Sequence, residues 1–283
     1  MIFNFRKLFQ RVMILLLLLS VLHSNAQTRI DRSKDEVNDK KGNSGFRSSN
    51  NDDSDSDDLS FFEVIFTEFF VEAFLYVTYY SAIGDFKSEK HLHKNLTDHP
   101  YSIPTVGNFI SPDSLNPQIN YFRLDLEDQL LLGQNRLIGN YFKAKIRPFQ
   151  YFYFQTDLYS LREYNRMEQK YSYLSLFNLD FCYDRLRFDR FNLGWTFGMN
   201  YIGNGVNRAG IAFGLNTDIF IAKPISMYAA AKWGSINHTP VNEFEIKWKC
   251  HVKNYFASVG YNFLKIGTPK YNFFGLGGGV YLF

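Results

Sequence analysis

The sequence predicts an all-β fold: an antiparallel β-barrel of about ten strands, with a range of eight to twelve. Three observations support this prediction. From residue 119 onward, large apolar side chains alternate with small or polar ones, and this period of two is typical of strands. The alternating runs have roughly 11 to 16 residues, about twice the ordinary strand length of 5–6. Aromatic residues make up 18% of the 283 residues, yet the mean hydropathy is only -0.25.

Residues 1–26 have the form of a cleaved secretory signal. Basic residues (Arg6, Lys7 and Arg11) precede a stretch of 11 residues over 12–22 that is apolar except for Ser20. That stretch is too short for a bilayer-spanning helix, which needs about 20 residues. Small residues at 24–26 suit cleavage after Ala26. We therefore expect the mature chain to be exported from the cytoplasm.

Three segments are predicted between the signal and the barrel. Residues 27–58 contain one Ile, one Val and one Phe, too little apolar surface to offset the entropy of ordering, and are predicted as a disordered acidic and polar leader. Residues 59–83 are apolar apart from three glutamates, and Ser60 with Glu63 matches a capping box, so we predict an apolar helix. Residues 84–118 contain four prolines and are predicted as a loop region, followed by the barrel over 119–283.

Ten alternating runs are predicted as the strands of the barrel. Turn residues separate most of them, for example Gly203-Asn204-Gly205 and Lys223-Pro224. The predicted strands cover residues 119–132, 137–147, 149–161, 169–183, 187–202, 208–222, 225–236, 241–252, 255–266 and 270–283.

Strand length and aromatic content favour a barrel that crosses a lipid bilayer. A transmembrane strand needs about 9–11 residues in the hydrocarbon, and its apolar side chains face outward. The large aromatic side chains would overfill the interior of a small soluble barrel. Alternation alone does not exclude a soluble, lipocalin-like carrier, which remains the alternative. On the membrane interpretation, the lipid-facing residues include Leu193, Trp195, Phe197, Ile211, Phe213 and Leu215.

The opposite face of the strands carries charged residues that are candidates for lining the lumen. They could line a charged pore, or they could form ion pairs that close the interior, and we favour the ion pairs for a barrel of this strand count. The candidates are Asp180, Asp184, Asp218, Lys232, Glu243, Glu245, Lys247 and Lys249.

The end of the chain resembles a known assembly signal. Tyr281 and Phe283 end the last strand as an aromatic residue and a final Phe two positions later. This ending is similar to that of Gram-negative outer-membrane β-barrel proteins. The resemblance implies an outer-membrane location, delivery by periplasmic chaperones and insertion by the barrel assembly machinery. Glycines at 275, 277 and 279 depart from the family pattern, which usually has apolar side chains there.

Composition and motifs argue against several functions. The chain has 31 Lys+Arg and 28 Asp+Glu, and the basic residues alternate along strands instead of clustering, so we expect no nucleic-acid partner. No catalytic constellation is found, and His91, His93 and His99 lack further metal ligands, so we predict no enzyme, no metal and no cofactor. The expected function is a structural, adhesive or interaction role in the bilayer, with a narrow channel for small solutes as the alternative. The ligand is unknown.

Overall fold

The computed structural model describes residues 28–39, 79–102, 106–112, 122–134 and 136–282. The predicted signal peptide, most of the predicted apolar helix and Phe283 lie outside these residues. Only residues 79–82 of the predicted helix are described in a helical conformation. In the part of the chain that is described, no helix combines the length and hydropathy needed to cross a membrane.

Ten long strands form a single closed barrel. Two short strands precede it, β1 (Asn95–Leu96) and β2 (Phe109–Ile110), which pair with each other. The barrel strands are β3 (Arg123–Gly133), β4 (Leu137–Arg147), β5 (Phe152–Asn165), β6 (Lys170–Arg187), β7 (Phe191–Ile202), β8 (Arg208–Ala222), β9 (Ile225–Ile236), β10 (Thr239–Val252), β11 (Tyr255–Ile266) and β12 (Lys270–Leu282).

Each barrel strand pairs antiparallel with its neighbours in sequence, and β12 pairs with β3 to close the barrel. Closure leaves no unpaired strand edge, which is the condition for a β-structure to cross lipid. The predicted all-β fold and strand count of ten are thus confirmed. The first strand begins at Arg123, four residues later than residue 119.

A helix in the predicted leader covers one end of the barrel. Helix α1 (Arg29–Asp39) begins with a capping interaction, in which the Asp31 backbone N–H donates to Thr28 Oγ1 at 3.0 Å. Ile30, Ser33 and Val37 form a buried stripe along it. The prediction of disorder is therefore wrong for residues 29–39. The segment has too little apolar surface to fold alone, but this stripe packs on an apolar layer inside the barrel.

Helix α1 is bonded around the rim of that end, which we call the α1 mouth (the connections 134–136, 166–169, 203–207, 237–238 and 267–269). The Ile30 backbone N–H donates to Glu163 on β5 at 3.2 Å, and Ser33 Oγ lies 2.6 Å from Tyr271 OH on β12. Asn237 donates to the Val37 carbonyl at 2.7 Å. These bonds attach α1 to widely separated parts of the rim.

The opposite end, the plug mouth, contains the start of β3, the end of β12 and the connections 148–151, 188–190, 223–224 and 253–254. It is covered by the plug, defined as the described residues 79–102 and 106–112. The plug contains a 3-10 helix (Lys90–His93) and the β1–β2 pair in the predicted loop region. Three apolar residues of the plug, Leu92, Leu96 and Phe109, are buried. The barrel is thus covered at both ends by residues that precede its first strand.

Candidate functional site

The barrel interior is the candidate functional site, because it concentrates the charged residues. Alternation in each strand directs every second side chain inward. The structure places all eight sequence-predicted lumen residues on this face. Asp218 is partly exposed and the other seven are buried. Buried charges are costly unless they are paired, so their contacts determine what the interior can do.

One ion-pair cluster joins three strands across the lumen. Lys232 on β9 contacts Asp157 on β5 at 3.1 Å and Asp180 on β6. In the barrel order, β9 is separated from β6 by β7 and β8, so these bonds cross the interior instead of following the wall. Asn178 donates to Glu243 at 2.9 Å beside this cluster.

A second cluster links β10 to β3 and β4. Lys143 contacts Glu245, and Lys247 lies 2.8 Å from both Glu245 and Glu127. Lys249 contacts Glu127 at 3.2 Å. Lys247 and Glu245 both lie on β10. Strand β10 is separated from β3 by β11 and β12, so the bonds to Glu127 and from Lys143 cross the lumen. The interior charges therefore form cross-barrel ion pairs.

Aromatic side chains fill the space between the ion pairs. The rings of Tyr141 and Tyr159 stack with centroids 4.2 Å apart. Tyr228 presents its ring to Lys143 and Lys145, each with Nζ 4.7 Å from the centroid. A cavity lined by Tyr141, Tyr159 and Tyr228 has room for one or two water molecules. It cannot hold a larger organic ligand.

Arginine and tyrosine side chains at the strand ends hold the plug. Arg123 donates to the Thr97 carbonyl at 2.9 Å, and Arg187 donates to the Leu92 carbonyl at 2.6 Å. Tyr101 reaches from the plug to the Ala222 carbonyl at 3.1 Å. These contacts lie on β3, on β6 and at the β8–β9 turn, so they attach the plug to several sides of the mouth.

A β-bulge provides a further attachment for the plug. The β6–β7 pairing shifts register between Asp184 and Leu186, so Arg185 has no partner residue in this ladder. Its guanidinium donates to Glu89 at 2.7 and 3.0 Å. These hydrogen bonds lower the pKa of Glu89 from its ordinary value of 4.5 to about 2.

We expect the attachment of the plug to weaken in acid. A lowered pKa in the folded state means that the stabilisation is fully present above about pH 4.5 and is lost as the pH falls through about 2. Trp195 reports on this contact because its Nε1 donates to the Ala82 carbonyl at 2.9 Å. With Trp233 and Trp248 changed to Phe, its fluorescence should change only in that window. Glu89→Gln should show the acid spectrum at neutral pH, and an unchanged spectrum would contradict the assignment.

The outer face carries the predicted lipid-facing residues. Phe197, Ile211, Phe213 and Leu215 are 42–65% exposed. Leu193 and Trp195 share this face but are only partly exposed. The contact of Trp195 with the plug accounts for its lower exposure.

The predicted assembly residues are only partly described. Tyr281 is on the interior face, where its ring packs 5.2 Å from that of Phe256 and beneath the Arg123 guanidinium. Phe283 lies outside the described residues. The role of this ending in assembly stays a prediction.

The histidine cluster considered as a metal site is dispersed in the plug. His91 bonds Glu89, His93 bonds the Phe86 carbonyl, and His99 bonds the Pro100 carbonyl. No group of three or more His, Cys, Asp or Glu side chains among the described residues is arranged to hold a metal ion. Cys182 is buried and Cys250 is exposed, and neither forms a disulfide.

Sequence reasoning missed the interior charges of the first barrel strands. Glu127, Lys143, Lys145, Arg147 and Asp157 all occupy inward positions. The sequence does contain the pattern that indicates these inward positions, because the runs 137–147 and 149–161 alternate in the same way as the later strands. It also missed Arg185 and Arg187, whose partners in the plug no local pattern indicates.

Comparison with known proteins does not assign this chain to a family. No family model matches it, and no curated protein matches it. Among solved structures, it is similar to Ail, the attachment invasion locus protein of Yersinia pestis. The alignment has 9% identity and a TM-score of 0.27, and it covers 57% of this chain and 96% of that chain.

The assignment of the fold therefore rests on the architecture of the barrel. Ten antiparallel strands close without a free edge around a charged interior, and they direct apolar and aromatic side chains outward. This is the arrangement of outer-membrane β-barrels.

Proposed function

We propose that this outer-membrane β-barrel is a non-conducting membrane anchor with a structural or interaction role, presented through the surfaces at its two mouths. The main supporting observation is the set of ion pairs across the lumen, from Lys232 to Asp157 and from Lys247 to Glu127. A continuous aqueous path would have to break them. The covers at both mouths, α1 and the plug, support the same proposal.

The connections between strands bear on how such a barrel would meet a partner. All nine contain only two to five residues, so none forms a long adhesive loop. The outer face of α1 is polar and exposes Arg32, Asp35 and Asn38. We propose this helix face, together with the rim beside it, as the contact surface at the α1 mouth.

Location and assembly are parts of the same proposal. The resemblance of the chain ending supports the outer membrane of a Gram-negative bacterium, reached after signal-peptide export. Periplasmic chaperones and the barrel assembly machinery would then be the partners in biogenesis, and the lipid bilayer the permanent partner. A soluble carrier receives no support, because apolar side chains face outward and the cavity beside Tyr228 has room for only one or two water molecules.

Planar-bilayer recording tests the proposal. The mature protein, refolded in detergent and shown to be folded by its faster migration without boiling, should give no stepwise current. A porin inserted in the same bilayer serves as the positive control. Stepwise current from the protein would contradict the proposal and establish the narrow channel.

A second recording tests whether α1 or the cross-barrel ion pairs close the lumen. Deletion of residues 27–39 removes α1 but leaves the ion pairs in place, so this variant should also be silent. Current from the deletion variant alone would show that α1 is the seal, and that the cross-barrel ion pairs do not close the lumen by themselves.

A further inference from the structure

A cavity between the central ion pairs and the plug is lined by more cations than anions. Its basic residues are Arg123, Lys143, Lys145, Arg147 and Lys249. Its acidic residues are Asp125, Glu127 and Asp218. Two of these cations also pair with carboxylates outside the lining, Lys143 with Glu245 and Arg147 with Asp184 at 2.6 Å. Binding of an anion in this cavity therefore depends on a buried cation that no carboxylate pairs with.

Most of the charges around this cavity already have partners. Glu127 is engaged by Lys247 and Lys249 at 2.8 and 3.2 Å. Asp125 accepts from Arg123 at 2.7 Å. These carboxylates are therefore committed to cations other than Lys145.

Lys145 is the exception. It is 93% buried, with a relative exposure of 7%, and it makes no hydrogen bond or ion pair with any described residue. Its ammonium faces the rings of Tyr228 and Tyr153, at 4.7 and 5.6 Å, and Asp218 attracts it electrostatically without forming an ion pair with it. Arg147 donates to Asp184 through Nη1 at 2.6 Å, and its buried Nε lies 3.6 Å from Asp125 but has no hydrogen-bond acceptor. Both residues line the cavity.

We infer that this cavity binds one small monovalent anion of chloride size, held by Lys145 and Arg147. The space suits a monatomic ion, because the cavity has room for only one or two water molecules. A phosphate or an organic carboxylate would not fit without displacing the ion pairs. The bound ion would give the Lys145 ammonium the counter-charge that no ion pair supplies. This inference is independent of the sealed-barrel proposal, since equilibrium binding inside the lumen requires no flow through it.

Bromide is the probe for this site, because its anomalous scattering locates it directly. Crystals of the mature protein grown in sodium bromide should show an anomalous peak beside Lys145 Nζ. The peak should be absent from Lys145→Met and present in Lys265→Met, which removes a lysine outside the cavity. A wild-type crystal without the peak, or a peak that persists in Lys145→Met, would overturn the inference.

A solution measurement covers the case in which Lys145→Met fails to fold. The unfolding midpoint of the wild-type protein in vesicles should rise saturably when bromide replaces gluconate at constant ionic strength, as expected for a ligand bound only by the folded state. Lys265→Met should show the same rise. The absence of a rise in the wild type would show that any ion in the crystal binds only at crystal concentration, and would overturn the inference.

Discussion

Replacing Lys232 with Met should destabilise the barrel by about 3–5 kcal/mol, because it leaves two buried carboxylates without their shared cation. Asp157 and Asp180 are both inward-facing and nearly inaccessible, and Asp180 Oδ1 already lacks a hydrogen-bond partner. The effect should appear as a lower free energy of unfolding in a urea titration of the protein in lipid vesicles. Met keeps most of the aliphatic volume of Lys, so packing loss contributes little.

Two further variants test whether the unpaired carboxylates cause the loss of stability in Lys232→Met. Adding Asp180→Asn to Lys232→Met removes one of the stranded carboxylates and should restore part of the lost stability. Lys170→Met removes a lysine from an exposed pair with Glu168, in which the side chains are 70% and 52% exposed, and should change little. Equal losses in Lys232→Met and in the double variant would show that the carboxylates are not what destabilises the barrel.

Replacing Leu215 with Arg should cost about 2–4 kcal/mol, since Leu215 lies at the middle of β8 on the outer face and would place a charge near the bilayer midplane. Ile221→Arg is the matched control. It lies on the same strand and face, is similarly exposed at 46% against 42%, and is near the strand end. There the expected cost is only about 0–1 kcal/mol.

The comparison between these two positions tests whether the outer face of the barrel contacts lipid. Unfolding in vesicles should show a cost that depends on depth along the strand. If both arginines are tolerated equally, the outer face meets water and the barrel is not embedded in lipid. If both are equally harmful, depth does not explain the effect and the placement of β8 across the bilayer is wrong.

Strand positions were well predicted because their signal is local. Alternation along β7 and β8 places Phe197 and Phe213 outward without reference to any other strand. The ends were less accurate: the run predicted as 149–161 corresponds to Phe152–Asn165. Turn residues and neighbouring strands determine where pairing stops, and a single run does not contain that information.

Helix α1 shows why the leader was misjudged. Its composition is that of a disordered segment, and Ile30 and Val37 supply little apolar surface within it. These two side chains stabilise the helix because they pack on the apolar layer at the α1 mouth, which includes Leu264 and Ile266. Residues more than 200 positions away in sequence therefore stabilise this helix, as in the bond from Ser33 to the Ile266 carbonyl.

By itself, the sequence determined the alternation along the strands and the identity of eight charged residues that face inward, because each follows from a period of two within one strand. It indicated about ten strands within a range, and closure of the barrel fixed the count at ten. Only the tertiary structure decided which charges meet. Lys143 and Glu245 are 102 positions apart, and they contact each other because closure of β12 on β3 brings opposite walls together. Closure also left Lys145 without a hydrogen-bonding partner among the described residues, and that follows from the arrangement of the whole barrel.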